Sequence, residues 1–165
     1  MKNIVLIGMP GVGKSTVGVI LAKALGYQFI DSDLLIQTRE KKLIRQIIEI
    51  EGNERFLEIE NEVNRAIEET DSVIATGGSV VYGREAMEHF FQSAIVVYLK
   101  LDCETLKQRV GNIQNRGIVL GYDQTFYSLY EERVPLYEKY AHVTVDARGL
   151  EVGELMQKIS MSISL

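Results

Sequence analysis

The sequence predicts an α/β protein whose five-stranded parallel sheet is wrapped by helices. Short apolar runs that end at glycine or aspartate alternate with longer segments whose apolar residues recur at helical spacing. Alternation of this kind is typical of a parallel sheet with a helix between successive strands. A glycine-rich turn directly follows the first apolar run and precedes an amphipathic segment, as expected where a strand leads into a helix.

The elements follow in chain order from these patterns. The first strand is the apolar run at residues 4–7 before Gly8, and the first helix is closed by Gly26. The predicted strands cover residues 3–7, 27–30, 72–76, 94–99 and 142–145. The predicted helices cover residues 14–25, 33–50 with a possible break, 53–69, 84–91, 103–110, 124–139 and 150–163. The last helix carries apolar residues at roughly helical spacing, namely Leu150, Leu155, Ile159 and Ile163.

Residues 111–123 fit neither period and include three glycines. Loops of about 12 residues or more in compact domains are often functional lids. We therefore expect a mobile lid at about residues 111–124, with Arg116 in its middle. No internal repeat or Pro/Ser-rich linker divides the chain, so residues 1–165 are predicted to form a single domain.

Composition limits the functions open to this chain. It has 165 residues, of which 46% are hydrophobic and 25% charged, as in globular domains. The single cysteine, Cys103, excludes an intramolecular disulfide and favours a reducing compartment, so a cytoplasmic location is predicted. A net charge of −5 argues against general nucleic-acid binding. No apolar run approaches the ~20 residues that cross a bilayer, so no membrane partner is expected. We also expect the protein to be a monomer.

The glycine-rich turn matches the phosphate-binding motif G-x-x-x-x-G-K-[ST] over Gly8–Ser15. In this motif backbone N–H groups wrap a phosphate at the positive end of a helix. Lys14 would reach the β- and γ-phosphates, and the Ser15 hydroxyl would hold Mg²⁺. The remaining residues assigned to the nucleotide are Gly11, Val12, Gly13 and Thr16. The alternative is a glycine-rich turn before an ordinary helix.

The phosphate loop does not identify the nucleotide or the acceptor, because switches, motors and kinases share it. No guanine-reading N-K-x-D motif occurs, and the chain is short with a glycine- and arginine-bearing lid. ATP is therefore the predicted nucleotide, and a small-molecule kinase is the favoured class.

Two aspartates follow the second strand, at the carboxyl edge where ligands gather in parallel sheets. Asp31 can hold Mg²⁺, while Asp33 can orient an attacking hydroxyl or accept its proton. Alternatively, Asp33 is a helix N-cap and Asp31 a solvated loop residue. Asp102 and Asp146 also end strands, and either could supply the metal carboxylate instead.

The chain resembles the shikimate kinase family over nearly its whole length. The resemblance rests on the phosphate loop, Asp31-Ser32-Asp33, Gly52-x-x-x-Phe56-x-x-x-Glu60, Thr76-Gly77-Gly78, the lid arginine and Arg133-Val134-Pro135-Leu136-Tyr137. It implies ATP- and Mg²⁺-dependent transfer of the γ-phosphoryl group to a hydroxyl of shikimate. The implied fold is the three-layer α/β/α P-loop kinase fold of the nucleoside monophosphate kinase type, with a substrate-binding helical segment at about residues 33–62. The resemblance also favours Asp31 over Asp102 near the metal.

The resemblance assigns further roles on the acceptor side. Asp33 would contact the acceptor hydroxyls, the amides of Gly77 and Gly78 would meet the acceptor, and Arg133 would bind its carboxylate through two parallel donors. Arg116 would close on the transferring phosphoryl group. The alternatives are a tight turn for residues 76–78, a helix-surface ion pair for Arg133 with Glu131 or Glu132, and a solvated loop arginine for Arg116.

The adenine side of the site is assigned by the same resemblance. Arg109 and Arg148 would flank the base, on which a guanidinium plane can stack. Arg109 could equally be surface charge on its helix, and Arg148 belongs to a short loop before the last helix.

The sequence departs from the family on the acceptor side. Leu57 stands where the family has an arginine that shares the substrate carboxylate, and Ser79 stands where a third glycine is common. On a helical wheel Leu57 falls on the polar face with Asn53, Glu60, Asn61 and Asn64. It is either an exposed apolar residue or part of a pocket whose ligand is less anionic. Two other functions thus stay open: a kinase of another small hydroxylated metabolite, and a nucleotide-binding module without acceptor binding.

Overall fold

The computed structural model describes residues 1–111 and 117–164 and has a five-stranded parallel sheet in the order β2-β3-β1-β4-β5. The strands are β1 (Asn3–Ile7), β2 (Gln28–Asp31), β3 (Ser72–Ala75), β4 (Ala94–Lys100) and β5 (Val143–Asp146). Each predicted strand is confirmed within one residue at either end. The central strand β1 lies between β3 and β4, with Val5 opposite Ile74 on one side and Val96 on the other.

In the described part of the chain, seven α-helices cover the sheet. They are α1 (Lys14–Leu25), α2 (Ser32–Glu40), α3 (Ile44–Arg65), α4 (Arg84–Ser93), α5 (Cys103–Val110), α6 (Phe126–Tyr140) and α7 (Val152–Ser162). Helix α1 packs against α7 and against β2 and β3, whereas α4 and α6 pack against β4. The main core contains buried residues from all these layers, with β1 and β3 almost completely enclosed.

The region between β2 and β3 differs most from the prediction. The break falls at Lys41, whose φ of 55° ends α2, and the chain re-enters a helix at Ile44. Gly52, at φ 87° and ψ 167°, interrupts α3, so the second helical piece begins near residue 53 as predicted but ends at Arg65 instead of 69. A short 3₁₀ helix at Val80–Tyr82 was not predicted.

A second apolar cluster lies beside the main core and joins α2, α3 and Val119, which belongs to the predicted lid. Its buried members are Ile36, Ile44, Ile47, Phe56, Ile59 and Val119. Because this cluster ties α3 to residue 119, it fixes the helical segment next to the carboxyl ends of the strands. Within the described ranges no helix is both long and apolar enough to cross a membrane.

Candidate active site

A cavity of about 360 Å³ opens at the carboxyl ends of the strands. It lies beside the topological switch point at β1, where ligands bind in open parallel sheets. The structure brings together in its wall most of the residues predicted for the site, namely Gly11, Gly13, Lys14, Ser15, Thr16, Asp33, Gly77, Gly78, Arg109 and Arg133. Val12, Asp31, Leu57 and Arg148 are not part of this wall. Arg116 lies outside the described residues.

The loop after β1 has the backbone of a phosphate cradle. Gly11 and Gly13 adopt φ values of 89° and 101°, which favour glycine. Nothing lies within 4 Å of a Cβ built at Gly13, and in the described chain no side chain caps the start of α1. The first N–H groups of a helix need partners from outside the helix. This helix start can therefore hold an anion, while Val12 is buried and donates its N–H to the Met9 carbonyl.

Lys14 points back into this loop from the first turn of α1. Its Nζ donates to the carbonyl oxygens of Gly8 at 2.7 Å and Met9 at 3.0 Å. Burial lowers the pKa of Lys14 to about 8, with Asp33 acting in the opposite direction. The amine is thus mostly charged at pH 7 and lies next to the space that the loop encloses.

Asp31 connects β2 to the phosphate loop and to α2. Its Oδ1 accepts from the backbone N–H groups of Asp33 and Leu34 at 3.0 and 3.4 Å, so Asp31 is the N-cap of α2. The alternative with Asp33 as the N-cap was therefore wrong. The Ser15 hydroxyl donates to the other Asp31 oxygen, Oδ2, at 3.2 Å. A hydroxyl and a carboxylate meeting at the phosphate loop are the oxygen ligands that Mg²⁺ prefers.

The two other strand-end aspartates are engaged elsewhere. Asp102 caps α5 through the backbone N–H and hydroxyl of Thr105, and these hydrogen bonds lower its pKa. Asp146 accepts the backbone N–H of Arg148 at 2.9 Å. Of the three candidates, only Asp31 contacts Ser15.

Asp33 stands at the boundary between the phosphate loop and the rest of the cavity. Its pKa is raised to about 6, first by burial and second by the neighbouring Asp31 carboxylate, while Lys14 acts in the opposite direction. At pH 7 the carboxyl is mostly ionised and can accept a proton. A pKa close to the working pH is what a general base requires.

The opposite wall carries a buried guanidinium. Arg133 is 1% exposed, its Nη2 donates to the Val119 carbonyl at 3.0 Å, and its guanidinium carbon lies 5.4 Å from the centroid of the Tyr82 ring. The surface ion pair with Glu131 or Glu132 is therefore wrong, because α6 turns Arg133 inward. Among residues 1–111 and 117–164 no carboxylate forms a salt bridge with it. A buried cation of this kind needs an anionic partner.

The turn after β3 brings bare backbone against these groups. A side chain at Gly78 would begin 3.0 Å from Nη1 of Arg133, and one at Gly77 would begin 2.8 Å from Oδ1 of Asp33. The Tyr137 hydroxyl donates to the Gly78 carbonyl at 2.6 Å and so anchors the turn. Only glycine leaves space for a ligand here.

The sequence prediction missed Glu60 and Ser79 as residues of this wall. Glu60 is 2% exposed, and its Oε1 accepts the Ser79 hydroxyl at 2.6 Å. The helical wheel was wrong to expose Glu60 and Asn64, because this face of α3 packs against the 3₁₀ helix and α4. The sequence does carry a sign that this helix face is buried, because the face carries asparagine and no lysine. We name the part of the cavity bounded by Asp33, Glu60, Gly77, Gly78 and Arg133 the acceptor pocket.

The remaining predicted residues lie at the edges of the site. Arg109 donates from Nη1 to the Gly11 carbonyl at 3.4 Å, which places its guanidinium beside the phosphate loop. Arg148 is exposed in the loop after β5. Leu57 is half-buried against the second apolar cluster and lines a neighbouring cleft with Asn53 and Tyr82, so it is not an isolated exposed residue.

Comparison with known proteins accounts for this arrangement. Residues 10–164 match the family model described as shikimate kinase. This chain belongs to the shikimate kinase family. It is 36% identical over 162 residues to the shikimate kinase of Thermodesulfovibrio yellowstonii, which covers 96% of this chain and 93% of that protein.

Solved shikimate kinases share the fold as well as the sequence pattern. A structure from Acinetobacter baumannii in complex with shikimate has 36% sequence identity and a TM-score of 0.88, covering 96% of this chain and 90% of that one. The structure from Aquifex aeolicus has 31% identity and a TM-score of 0.85, covering 98% and 95%. The predicted α/β/α P-loop kinase fold is confirmed.

Shikimate kinases use ATP and Mg²⁺, and the residues of this member fit both. The open cradle at Gly13 and the uncapped helix start suit a phosphate group, and the Ser15 and Asp31 oxygens suit Mg²⁺. Mg²⁺ is usually held by one or two carboxylates together with substrate phosphates. Within the described ranges, no three or more His, Cys, Asp or Glu side chains are grouped so that they could hold a metal ion.

Proposed function

We propose that this chain transfers the γ-phosphoryl group of ATP to a hydroxyl of shikimate. The observation that carries the proposal is the buried Arg133, which faces the same cavity as Lys14 and Asp33 and has no salt-bridge partner in the described chain. A carboxylate ligand would neutralise it. A relative with 36% identity is solved in complex with shikimate, which supports a hydroxylated acid as the acceptor.

On the nucleotide side, the chain's own groups supply donors and positive charge. The backbone N–H groups of Gly11 and of residues 13–16 would bind the phosphate oxygens, and Lys14 would leave its two loop carbonyls to contact the β- and γ-phosphates. Ser15 and Asp31 would hold Mg²⁺. When bound, Mg²⁺ neutralises charge on the phosphate oxygens that it bridges. Arg109 and Arg148 would flank adenine, and Arg116 would close over the transferring group.

On the acceptor side, Asp33 orients the attacking hydroxyl and accepts its proton. Gly77 and Gly78 let the acceptor lie against the backbone, and Arg133 binds its carboxylate by a charge-assisted hydrogen bond. Catalysis of this reaction depends mostly on positioning and charge stabilisation. The presence of Lys14, Asp33 and Arg133 in the wall of one cavity supports these roles.

One observation favours an acceptor other than shikimate. Leu57 stands where the family has an arginine, and it lines the neighbouring cleft with Tyr82 instead of the acceptor pocket. Within the described residues, Arg133 is the guanidinium that bounds the acceptor pocket, so another small hydroxylated acid with a single carboxylate would also fit. The nucleotide-binding module without an acceptor is disfavoured because Asp33 and Arg133 both face the cavity.

The proposal also includes a cytoplasmic location and a monomeric state. Cys103 has no second cysteine to pair with, which supports a cytoplasmic, reducing environment. The monomeric state and the lack of membrane or nucleic-acid partners stay predictions. Size-exclusion chromatography with light scattering measures the oligomeric state directly.

Steady-state kinetics with ATP, Mg²⁺ and a panel of hydroxylated ring and sugar acids tests the acceptor. We expect shikimate-dependent ADP release together with a phosphorylated shikimate detected by mass spectrometry. The carboxamide of shikimate is the matched control, and it should bind more weakly because it carries no charge for Arg133. Preference for another acid would replace shikimate, and ADP release that is independent of every acid would contradict the kinase proposal.

Arg133→Gln is expected to raise the KM for shikimate by about 10- to 100-fold with a smaller change in kcat. A charge-assisted hydrogen bond contributes about 1.5–3 kcal/mol, which is one to two powers of ten in affinity. Arg84→Gln is the matched control, since Arg84 is exposed and pairs with Glu88 at 2.9 Å. An unchanged KM in Arg133→Gln would show that the acceptor carboxylate binds elsewhere.

A further inference from the structure

Tyr137 is the last residue of the motif Arg133-Val134-Pro135-Leu136-Tyr137, and it lies outside the cavity wall. It follows Arg133 by one helical turn of α6, so both side chains leave the same face of the helix. Tyr137 is fully buried, and its ring stacks on that of Tyr98 with the centroids 5.1 Å apart. Burial raises the pKa of Tyr137 well above its ordinary value, with Arg133 acting in the opposite direction. The hydroxyl therefore keeps its proton and is a hydrogen-bond donor.

The Tyr137 hydroxyl lies between two loops of the active site. It donates to the Gly78 carbonyl in the turn after β3 at 2.6 Å, and it lies 3.7 Å from the sulfur of Met9 in the phosphate loop. A hydroxyl has one proton to donate, and a thioether sulfur is a weak acceptor. The proton therefore belongs to the bond with Gly78, and Met9 packs against the same oxygen atom.

The two loops also contact each other directly. A side chain at Gly78 would begin 2.8 Å from Cδ of Pro10, so the turn lies against the phosphate loop. The bases of the loops are joined as well, because the Thr76 hydroxyl donates to the Leu6 carbonyl at 2.8 Å near the ends of β3 and β1. The loops are thus connected both where they leave the sheet and further out, beside the cavity.

These two loops serve the two halves of the reaction. The phosphate loop binds the nucleotide, and the turn after β3 meets the acceptor in the proposed function. Reacting atoms must lie about 3–3.5 Å apart with their orbitals aligned, and a misplacement of ~1 Å can lower the rate about 10²-fold. The position of one loop relative to the other therefore affects the chemical step more than the affinity for either ligand.

We propose that Tyr137 is a positioning residue that holds the phosphate loop and the turn after β3 in register, and so places the acceptor hydroxyl in line with the transferring phosphoryl group. It acts through the Gly78 carbonyl on one side and through Met9 on the other. Contact with either ligand is not required. This inference rests on the proposed function and adds a residue that determines its rate.

Steady-state kinetics of Tyr137→Phe with ATP, Mg²⁺ and shikimate tests the positioning role. Phenylalanine keeps the ring that stacks on Tyr98 and removes only the hydroxyl. We expect kcat to fall about 5- to 30-fold while the KM values for ATP and shikimate stay within about threefold, because misalignment acts on the chemical step. A role in stability alone would lower Tm and leave kcat unchanged well below the melting temperature. That result would overturn the proposal.

Two other tyrosines supply matched controls. Tyr98→Phe removes a buried hydroxyl from the same ring pair, and this hydroxyl has no hydrogen-bond partner in the described chain. Tyr130→Phe removes a hydroxyl on the same helix that donates to the Leu101 carbonyl at 3.0 Å, outside the cavity wall. Both variants should keep the kcat of the wild type. A loss in either control as large as that in Tyr137→Phe would refute the link between the two loops.

Hydrogen exchange measures this link without any acceptor. In the wild type, an ATP analogue with Mg²⁺ should slow amide exchange in residues 76–82 as well as in the phosphate loop, because the loops move together. In Tyr137→Phe the phosphate loop should still be protected, and the protection of residues 76–82 should be largely lost. Identical exchange of residues 76–82 in the two proteins would overturn the inference. If the wild type does not phosphorylate shikimate, the proposed function fails, and the exchange comparison still decides the role of Tyr137.

Discussion

Lys14→Ala is expected to lower kcat/KM by about 10²–10³-fold while the protein stays folded. The amine is the positive charge that the structure buries beside the phosphate loop, and one such group typically contributes this much to transition-state stabilisation. Folding should not suffer, because burial of the amine is unfavourable, as its lowered pKa shows. Coupled kinetics and a thermal melt measure the two quantities.

Lys23→Ala is the matched control for this experiment. Lys23 lies in the last turn of the same helix, is exposed, and faces no part of the cavity. Its removal should leave kcat/KM within about twofold. Unchanged turnover in Lys14→Ala would refute the assignment of residues 8–15 to the triphosphate. A lower melting temperature together with lost turnover would point to a structural role instead.

The strands were predictable because their signal is local. Each strand reads as a short apolar run ending at a polar or glycine residue, and the buried strands β1 and β3 require such runs on both faces. The phosphate loop was equally readable, since a glycine spacing, a lysine and a serine must coincide in a few residues. These features depend on neighbouring residues alone.

Helix α3 shows where local signals fail. Its wheel separates an apolar stripe from a polar face, and a polar face normally lies in solvent. In the folded chain both faces are covered, because the turn after β3 and α4 pack on the polar one. Asn61 illustrates the cause: its Oδ1 accepts the backbone N–H of Ala86, which is 25 residues away. No periodicity within α3 reports such a partner.

The same limit applies to the site. Asp33, Gly77 and Arg133 could be named from motifs, but the inward direction of Arg133 depends on how α6 packs against the sheet. The pairing of Glu60 with Ser79 joins residues 19 apart that belong to different elements. Leu57 and Ser79, which depart from the family pattern, could be identified in the sequence. The groups that they contact could be identified only in the folded structure.

Asp33→Asn is expected to lower kcat by about 10²–10⁴-fold with little change in ATP affinity. Asparagine keeps the shape of the side chain and cannot accept a proton, and a positioned general base contributes a factor of this size. The N-terminal cap of α2 is unaffected because Asp31 supplies it. Steady-state kinetics together with calorimetry of an ATP analogue separates the two effects.

The pH profile identifies which aspartate acts as the base. Asp33 has a pKa raised to about 6, so its ionised, proton-accepting form is lost as pH falls below 6. We expect wild-type kcat/KM to drop about tenfold per pH unit below that point. The residual activity of Asp33→Asn should be flat over the same range.

Asp31→Asn supplies the contrast that decides between the two carboxylates. Asparagine can still cap α2, but it replaces the charged oxygen that meets Ser15. The variant should need about tenfold or more Mg²⁺ for half-maximal rate while keeping the decline below pH 6. If Asp31→Asn flattens the profile and Asp33→Asn keeps it, the base is Asp31, and the acceptor must approach from the side of the phosphate loop.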